Sequence, residues 1–196
     1  MLLVSSGCIS FSTLHSAKPV PQGTTETALG ASYYGFGYAD DSVEVPYTEV
    51  AVRYGVSGDA DVGFKVFPLG FAMDFNYAVL NEDAMVLSLN PYVSVTRLSA
   101  GSSSLTYGFA GLNVLADVVS SDPVTLTVGL KPGWLYALGS GEDDSEFGTG
   151  AVVGGMMGLR VKMGDTIAIM PNFDTLTPID NLGDVWIYNF GIAVLF

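Results

Sequence analysis

Seven charged residues stand singly among small residues, at a spacing that could form ion pairs or guide ions. They are Glu49, Arg53, Lys65, Asp74, Lys131, Arg160 and Asp174. Around them, large apolar residues alternate with small ones, and the charge belongs to the smaller face. Charges held in a narrow space of low dielectric need partners, so we expect this set to form a charge network that fills the space. The alternative is that the same side chains line a narrow path for ions.

Catalysis by histidine has little support in this sequence. The only histidine, His15, precedes the first predicted strand, and no predicted strand carries a serine–histidine pair. Residues 139–146 (GSGEDDSE) cluster carboxylates, but they lack the ligand spacing of an EF-hand and are interpreted as a solvated acidic loop. Zinc-ligand spacing and a phosphate-binding loop are also missing. We therefore predict no catalytic residues, no metal site, no cofactor and no enzyme activity.

Composition favours strands in a membrane. Of the 196 residues, 49% are hydrophobic and 14% are charged, and the mean hydropathy is +0.42. No apolar run reaches the roughly 18 residues that a transmembrane helix needs, whereas 24 glycines, 10 tyrosines and 11 phenylalanines suit strands. The net charge of −13 argues against nucleic acid as a partner. A soluble β-sandwich is the competing fold class.

Alternation with a period of two residues predicts ten strands. They lie near 24–39, 47–57, 60–67, 70–80, 84–98, 104–118, 123–138, 147–162, 166–177 and 185–196. Several reach the ~9–11 residues that a tilted membrane strand needs. Tight turns near 57–59, 81–83, 120–122 and 163–165 alternate with mostly longer, polar connections at 40–46, 99–103, 139–146 and 178–184. Eight strands are the alternative if two pairs of neighbouring segments merge.

Some positions break the regular pattern. The alternation changes phase near Tyr33-Tyr34 in the first predicted strand and between Phe109 and Leu112 in the sixth, where we expect a bulge near Ala110-Gly111. Pro91, Pro132 and Pro171 fall within predicted strands, and each removes a donor from the ladder. We expect each of these prolines to mark a bulge or a rim.

The last thirteen residues, Asp184 to Phe196, alternate most clearly. Tyr188, Phe190, Ile192, Val194 and Phe196 share the larger apolar face. This pattern resembles the carboxyl-terminal assembly signal of bacterial outer-membrane β-barrel proteins, which ends in Phe after apolar residues at alternating positions. The resemblance implies an all-β fold, a closed antiparallel up-and-down transmembrane β-barrel over residues 24–196. It also implies that the barrel assembly machinery reads these five residues, and that outer-membrane lipid and lipopolysaccharide surround the barrel.

The amino-terminal residues carry the only cysteine, Cys8. Leu3 to Cys8 (LVSSGC) resembles the lipobox of bacterial lipoprotein signal peptides, which implies lipidation of Cys8; the alternative is an ordinary free cysteine. We interpret residues 1–8 as a signal or lipobox remnant and residues 9–23, which lack sustained periodicity, as a polar periplasmic tether. The short turns then lie in the periplasm together with both termini.

These observations favour a function that is not enzymatic. We expect a structural, anchoring or protein-interaction barrel with a largely plugged lumen, whose loops or tether meet partner membrane or periplasmic proteins. The alternative is a narrow pore for ions or small solutes. Side chains just fill the interior of a barrel of about eight strands, and a barrel of ten strands is only slightly wider.

Overall fold

The computed structural model describes residues 11–38, 41–68, 70–82, 84–100, 103–140, 146–181 and 185–196. Over these residues the chain forms eleven β-strands and a 3-10 helix, Ile179–Asn181. The strands are β1 (Thr25–Tyr38), β2 (Asp41–Ser57), β3 (Ala60–Phe67), β4 (Gly70–Glu82), β5 (Met85–Ala100), β6 (Ser103–Ser121), β7 (Val124–Leu130), β8 (Gly133–Ser140), β9 (Glu146–Lys162), β10 (Ala168–Pro178) and β11 (Val185–Leu195). Among the residues described, no helix is long and apolar enough to cross a membrane.

The strands form one closed antiparallel ring. Neighbours in sequence pair with each other except β7 and β8, and β11 pairs with β1 from Ala28↔Leu195 to Tyr38↔Val185, which closes the sheet. β7 and β8 both pair with β6 on one side and with β9 on the other, so together they occupy one position. The ring therefore has ten positions. The predicted ten-strand barrel is confirmed, and neither the eight-strand alternative nor a two-sheet sandwich applies.

Prolines interrupt the ladders without changing the register. Lys131 and Pro132 separate β7 from β8, yet the pairs on either side of this break keep one register against β6 and one against β9. Pro91 and Pro171 lie within the unshifted ladders from β5 to β6 and from β10 to β11. The prediction that each proline marks a bulge or a rim is wrong. A missing N–H removes one donor, and the pairs on either side hold the strand in place.

The outward faces of the strands carry large apolar side chains. On β4, Phe71, Met73, Phe75, Tyr77 and Val79 are between 41% and 53% exposed, while the alternate Ala72, Asn76 and Ala78 are buried. A soluble sheet would bury its larger apolar face, because burial of apolar area drives folding in water. Here the smaller face is inside, which is the arrangement of a barrel that faces lipid.

The lumen also contains apolar side chains, towards the end of the barrel that lies away from Thr25 and Phe196. We call this set the aromatic layer: Tyr34, Tyr47, Phe67, Ala72, Tyr92, Phe109, Val152, Leu176 and Ile187. Because Tyr34 and Phe109 point inward, β1 and β6 do not change phase at these points, and their registers there are unbroken. The predicted phase change at Tyr33-Tyr34 and the predicted bulge at Ala110-Gly111 are therefore wrong. The register shift in β6 lies instead at Asp117/Val119.

The two ends of the barrel differ from the predicted loop pattern. At the end that carries Thr25 and Phe196, which we call the turn end, β2–β3 and β6–β7 are joined by short turns as predicted. At the far end, β2 already begins at Asp41 and β5 runs to Ala100, so most of the expected loops 40–46 and 99–103 are strand. The polar residues in these segments extend the β-hairpins instead of forming loops. Residues 141–145 of the acidic loop lie outside the described residues.

Candidate functional site

Residues 11–20, which we call the lumen segment, lie inside the barrel. Phe11 is 2% exposed and Ala17 is fully buried, and of the ten residues only Lys18 is exposed. The segment runs from the turn end, where Val20 meets β3, to Phe11 within the aromatic layer. Residues 11–20 therefore do not form the free polar tether that the sequence predicted. An irregular backbone can be buried here because charged and amide side chains on the strands form hydrogen bonds with its polar groups.

Main-chain N–H groups of the lumen segment donate to carboxylates on three strands. Thr13 N donates to Asp174 at 3.3 Å, and Val20 N donates to Asp61 at 2.8 Å. Ala17 N and Lys18 N each donate to one oxygen of the Asp117 carboxylate, both at 3.0 Å. Hydrogen bonds to an ionised acceptor are stronger than neutral ones, so these contacts fix the path of the segment.

Main-chain oxygens of the same segment accept from the strands. Lys65 Nζ donates to the Ser12 carbonyl at 2.7 Å, and Asn76 Nδ2 donates to the Ala17 carbonyl at 3.1 Å. Lys131 Nζ donates to the carbonyl of Phe11. Side chains that point inward from the barrel wall thus form hydrogen bonds with both N–H and carbonyl groups of the segment.

Two ion pairs hold the middle of the lumen together with the hydroxyls of the segment. Lys131 and Asp174 are both fully buried and lie 2.6 Å apart, with Thr13 Oγ1 3.0 Å from the ammonium. Lys65 lies 3.3 Å from Glu49, and Ser12 Oγ donates to the same carboxylate at 2.7 Å. Each buried charge therefore has both an opposite charge and a hydrogen-bonding partner, as buried ion pairs require.

A third group surrounds Arg53. Its guanidinium pairs with Asp61 and, at 2.7 Å, with Asp74. Asn90 donates to Asp74 at 2.7 Å, which extends the network around the lumen. Gly63 makes this approach possible, because a Cβ at that position would overlap both Asp74 and the Arg53 guanidinium.

The structure places all seven predicted charged residues on the lumen side of their strands. Six of them form the three groups above, and Arg160 pairs with Glu26 at 2.6 Å near the turn end, where both are partly exposed. The sequence reasoning did not include Glu26, Asp61 and Asp117. A signal for two of them was available, because alternation puts Asp61 and Asp117 on the inward phase.

Apolar side chains of the lumen segment enter three separate clusters. Phe11 packs into the aromatic layer, with its ring 5.7 Å from that of Tyr34. Leu14 packs in a cluster with Met170 and Leu195, and Ala17 packs in another with Leu115 and Met156. The segment is thus positioned by apolar contacts as well as by its main chain.

A small cavity lies beside the lumen segment. It measures about 30 Å³, room for about two water molecules, and its lining includes His15, Asp74, Asn90, Tyr92 and Asn113. Tyr92 Oη and Asn113 Oδ1 have no hydrogen-bond partner among the described residues. Bound water is the chemistry that suits such atoms. Within the part of the chain that the structure describes, no group of His, Cys, Asp and Glu could hold a metal ion.

The predicted assembly residues lie on the outward face of the last strand. Phe190, Ile192 and Phe196 are exposed, and Tyr188 and Val194 are partly exposed. The Tyr188 hydroxyl donates to Glu44 of β2, and its ring stacks on Trp186 with centroids 4.9 Å apart. Their role in assembly stays a prediction. Cys8 lies outside the described residues, so its lipidation also stays a prediction.

Comparison with solved structures finds bacterial outer-membrane barrels. An outer-membrane channel from Pseudomonas putida F1 is similar over 92% of this chain and 98% of that chain, at 10% identity and a TM-score of 0.50. Ail, the attachment invasion locus protein of Yersinia pestis, covers 89% of this chain over 99% of its own, at 13% identity and a TM-score of 0.44. The translocator domain of the autotransporter NalP from Neisseria meningitidis covers 89% of each chain, at 10% identity and a TM-score of 0.44.

No protein-family model and no curated protein matches the chain. Structural similarity at such low sequence identity indicates a shared fold and does not indicate a shared function. The ten-position antiparallel ring, its exposed apolar face and the channel from Pseudomonas putida agree with one another. The chain therefore has the closed β-barrel fold of bacterial outer-membrane proteins.

Proposed function

We propose that this chain is a bacterial outer-membrane barrel that acts as a structural, anchoring or protein-interaction component and does not catalyse a reaction. The observation that carries the proposal is the lumen segment, because residues 11–20 fill the space that a solute would cross. Their contacts with Asp61, Asp117 and Asp174 are charge-assisted, so opening the lumen would leave buried carboxylates without these partners.

The outer surface supports the proposed location. Exposed Val, Leu, Ile and aromatic residues on the strands would be an aggregation hazard in water and suit a bilayer. In this proposal the turn end faces the periplasm, outer-membrane lipid and lipopolysaccharide surround the wall, and the barrel assembly machinery inserts the chain. Lipidation of Cys8 and partner membrane or periplasmic proteins belong to the same proposal.

Conductance in planar lipid bilayers tests the closed lumen. We expect the full-length protein to insert without steady current at moderate voltage, because the lumen segment blocks the path. A double variant, Lys65→Ala with Asp117→Asn, weakens the contacts of Ser12, Ala17 and Lys18 and is expected to show transient openings. Steady, charge-selective current through the unmodified protein would contradict the proposal.

A narrow pore for ions or small solutes is the second candidate, and one feature of β5 favours it. Ser88, Asn90, Tyr92 and Ser94 form a buried polar column along the lumen. The hydroxyls of Ser88, Tyr92 and Ser94 have no hydrogen-bond partner among the described residues. Buried hydroxyls of this kind are satisfied by water, and a chain of water along β5 would give ions a path beside the lumen segment.

A further inference from the structure

The wall of the lumen recognises main-chain groups. Side chains from the strands bond the carbonyls of Phe11, Ser12 and Ala17 and the N–H groups of Thr13, Ala17, Lys18 and Val20. By contrast, only Ser12 and Thr13 contribute side-chain hydroxyls to the recorded bonds with the strands. A peptide of different sequence would present the same main-chain groups, because every residue except proline carries them.

The recognising side chains are held by the barrel itself. Lys131 pairs with Asp174, Lys65 with Glu49, and Arg53 with Asp61, and each pair joins two positions of the ring. These pairs give each charged group a partner within the wall, in addition to its contacts with the lumen segment. A site whose groups are set in advance loses less entropy when it binds a ligand.

Main-chain groups of the lumen segment satisfy the Asp117 carboxylate. Its side chain is buried, and among the described residues it has no ion-pair partner. Its two oxygens accept from the consecutive N–H groups of Ala17 and Lys18, and Thr127 Oγ1 donates to it at 2.6 Å. A buried carboxylate without donors is unfavourable, and here two adjacent main-chain N–H groups supply them.

Apolar anchors define the register of the segment. Phe11, Leu14, Ala17 and Val20 follow one another at intervals of three residues, and all four are buried. Each of the first three enters a different apolar cluster of the lumen. Where the segment leaves at the turn end, Gly55 allows close approach, because a Cβ there would overlap the main-chain oxygens of Val20 and Pro21.

We propose that the lumen is a binding site for a peptide with an apolar residue at every third position, and that it accepts such a peptide in trans. Residues 11–20 occupy this site from within the same chain. Residues 21–25 are exposed at the turn end, where the lumen segment leaves the barrel, and the proposal places the entrance for a separate peptide there. This goes beyond the proposed function, because a barrel with a closed lumen need not bind a separate peptide.

Cutting the chain after folding tests whether the site holds its peptide without a covalent link. A protease recognition sequence is inserted between Gly23 and Thr24, both exposed, and the full-length barrel is cleaved in detergent micelles. We expect native mass spectrometry to find the amino-terminal fragment retained on the barrel after dilution. Loss of the fragment as soon as the link is cut would overturn the proposal.

A competition experiment tests recognition of the main chain. Isotope-labelled synthetic peptide 9–23 is added to the cleaved barrel, and replacement of the resident fragment is followed by its mass. We expect a peptide with an N-methyl group on the Lys18 amide to compete about tenfold less well, because it cannot donate to Asp117. The matched control is N-methylation of the Ser16 amide, which makes none of the contacts described above. Equal competition by the two methylated peptides would overturn the proposal.

A variant of the barrel gives an independent result. Asp117→Asn should release the cleaved fragment about tenfold faster, because the amide is a weaker acceptor for the two N–H groups. Asp165→Asn, which changes an exposed carboxylate in the β9–β10 turn, should release it at the unmodified rate. Equal release from both variants would contradict the assigned role of Asp117. Conductance of the intact protein is measured separately, so the proposed function can fail while this inference stands.

Discussion

At the residue scale, Lys131 shows how the barrel accommodates an ammonium group away from water. The side chain is fully buried and has three recorded acceptors: Asp174, the Phe11 carbonyl and Thr13 Oγ1. The rings of Phe11 and Tyr92 lie 5.5 and 5.8 Å from Nζ, within the range of a cation–π contact. Desolvation of this charge is therefore offset by groups from both the wall and the lumen segment.

Replacing Lys131 should destabilise the barrel more than replacing an exposed lysine. Lys131→Met leaves Asp174 as a buried charge without its ion-pair partner, a change that typically costs about 3–5 kcal/mol, less where water enters. Lys162→Met is the matched control, since its pair with Asp122 is exposed and is worth about 1 kcal/mol or less. Thermal unfolding in micelles measures both. An unchanged midpoint for Lys131→Met, together with altered ion preference in bilayers, would favour the pore.

The inward position of the seven charged residues followed from alternation, because a strand has only two faces. Their partners did not all follow from it. Asp61 and Asp117 point inward, but their carboxylate oxygens accept hydrogen bonds from main-chain N–H groups of residues 17–20. Nothing in the pattern of an aperiodic segment indicates which carboxylate it will contact. Local patterns give the direction of a side chain, whereas its partner depends on how distant segments meet.

At the scale of elements, the residue that follows β11 extends the seam between β11 and β1. Phe196 N donates to Thr27 O at 2.8 Å, and Thr27 N donates to Phe196 O at 3.1 Å. The Phe196 ring points outward and is 52% exposed. The terminal residue thus contributes main-chain bonds to the seam with β1 and an apolar ring to the outer surface.

Deleting Phe196 should lower the amount of barrel in the outer membrane and leave export intact, because the deletion removes the end of the predicted assembly signal. Phe196→Ser separates the ring from the main-chain bonds and is expected to have the same effect. The matched control is Phe173→Ser, which removes a similarly exposed ring from the neighbouring β10. Cell fractionation followed by gel mobility without heating measures assembled barrel. Unmodified levels in the Phe196 variants would remove the support for the signal.

Strand existence was predictable, and strand detail was less so. The ten predicted strands correspond to the ten positions of the ring, because most of them have a lipid-sized face and a small face. The predicted irregularities at Tyr34 and Phe109 were wrong for one reason. A rule that sends large apolar residues outward fails where the lumen contains its own aromatic layer. Sequence alone does not show that such a layer exists, because its members come from strands far apart in the chain.

At the scale of the whole molecule, the arrangement of apolar surface is the reverse of that in a soluble domain. Residues such as Phe64, Phe75, Leu130 and Phe190 are exposed, whereas Lys131, Asp174 and Glu49 are buried. In water this surface would drive association between molecules. In a bilayer the same surface is solvated, and the closed ring leaves no strand edge in lipid.

The protein should therefore need detergent or lipid to fold and should show heat-modifiable gel mobility. Samples kept unheated should migrate differently from boiled samples, because the closed hydrogen-bonded ring resists detergent. Refolding from urea with and without micelles, followed by light scattering and gel mobility, measures this. A monodisperse, folded protein in plain buffer would rule out the membrane interpretation.

The lumen segment sets an order of events in folding. Residues 11–20 precede β1 by only four residues, and β1 meets β11 at the other end of the chain. Once that last pairing forms, the segment can reach Asp117 and Asp174 only by entering lengthwise through the mouth of the barrel. Among the strand pairings, that of β1 with β11 is also the most distant in sequence, which makes it slow to form. The nascent sheet thus has time to curl around its own amino-terminal residues, and the segment becomes the centre around which the wall closes.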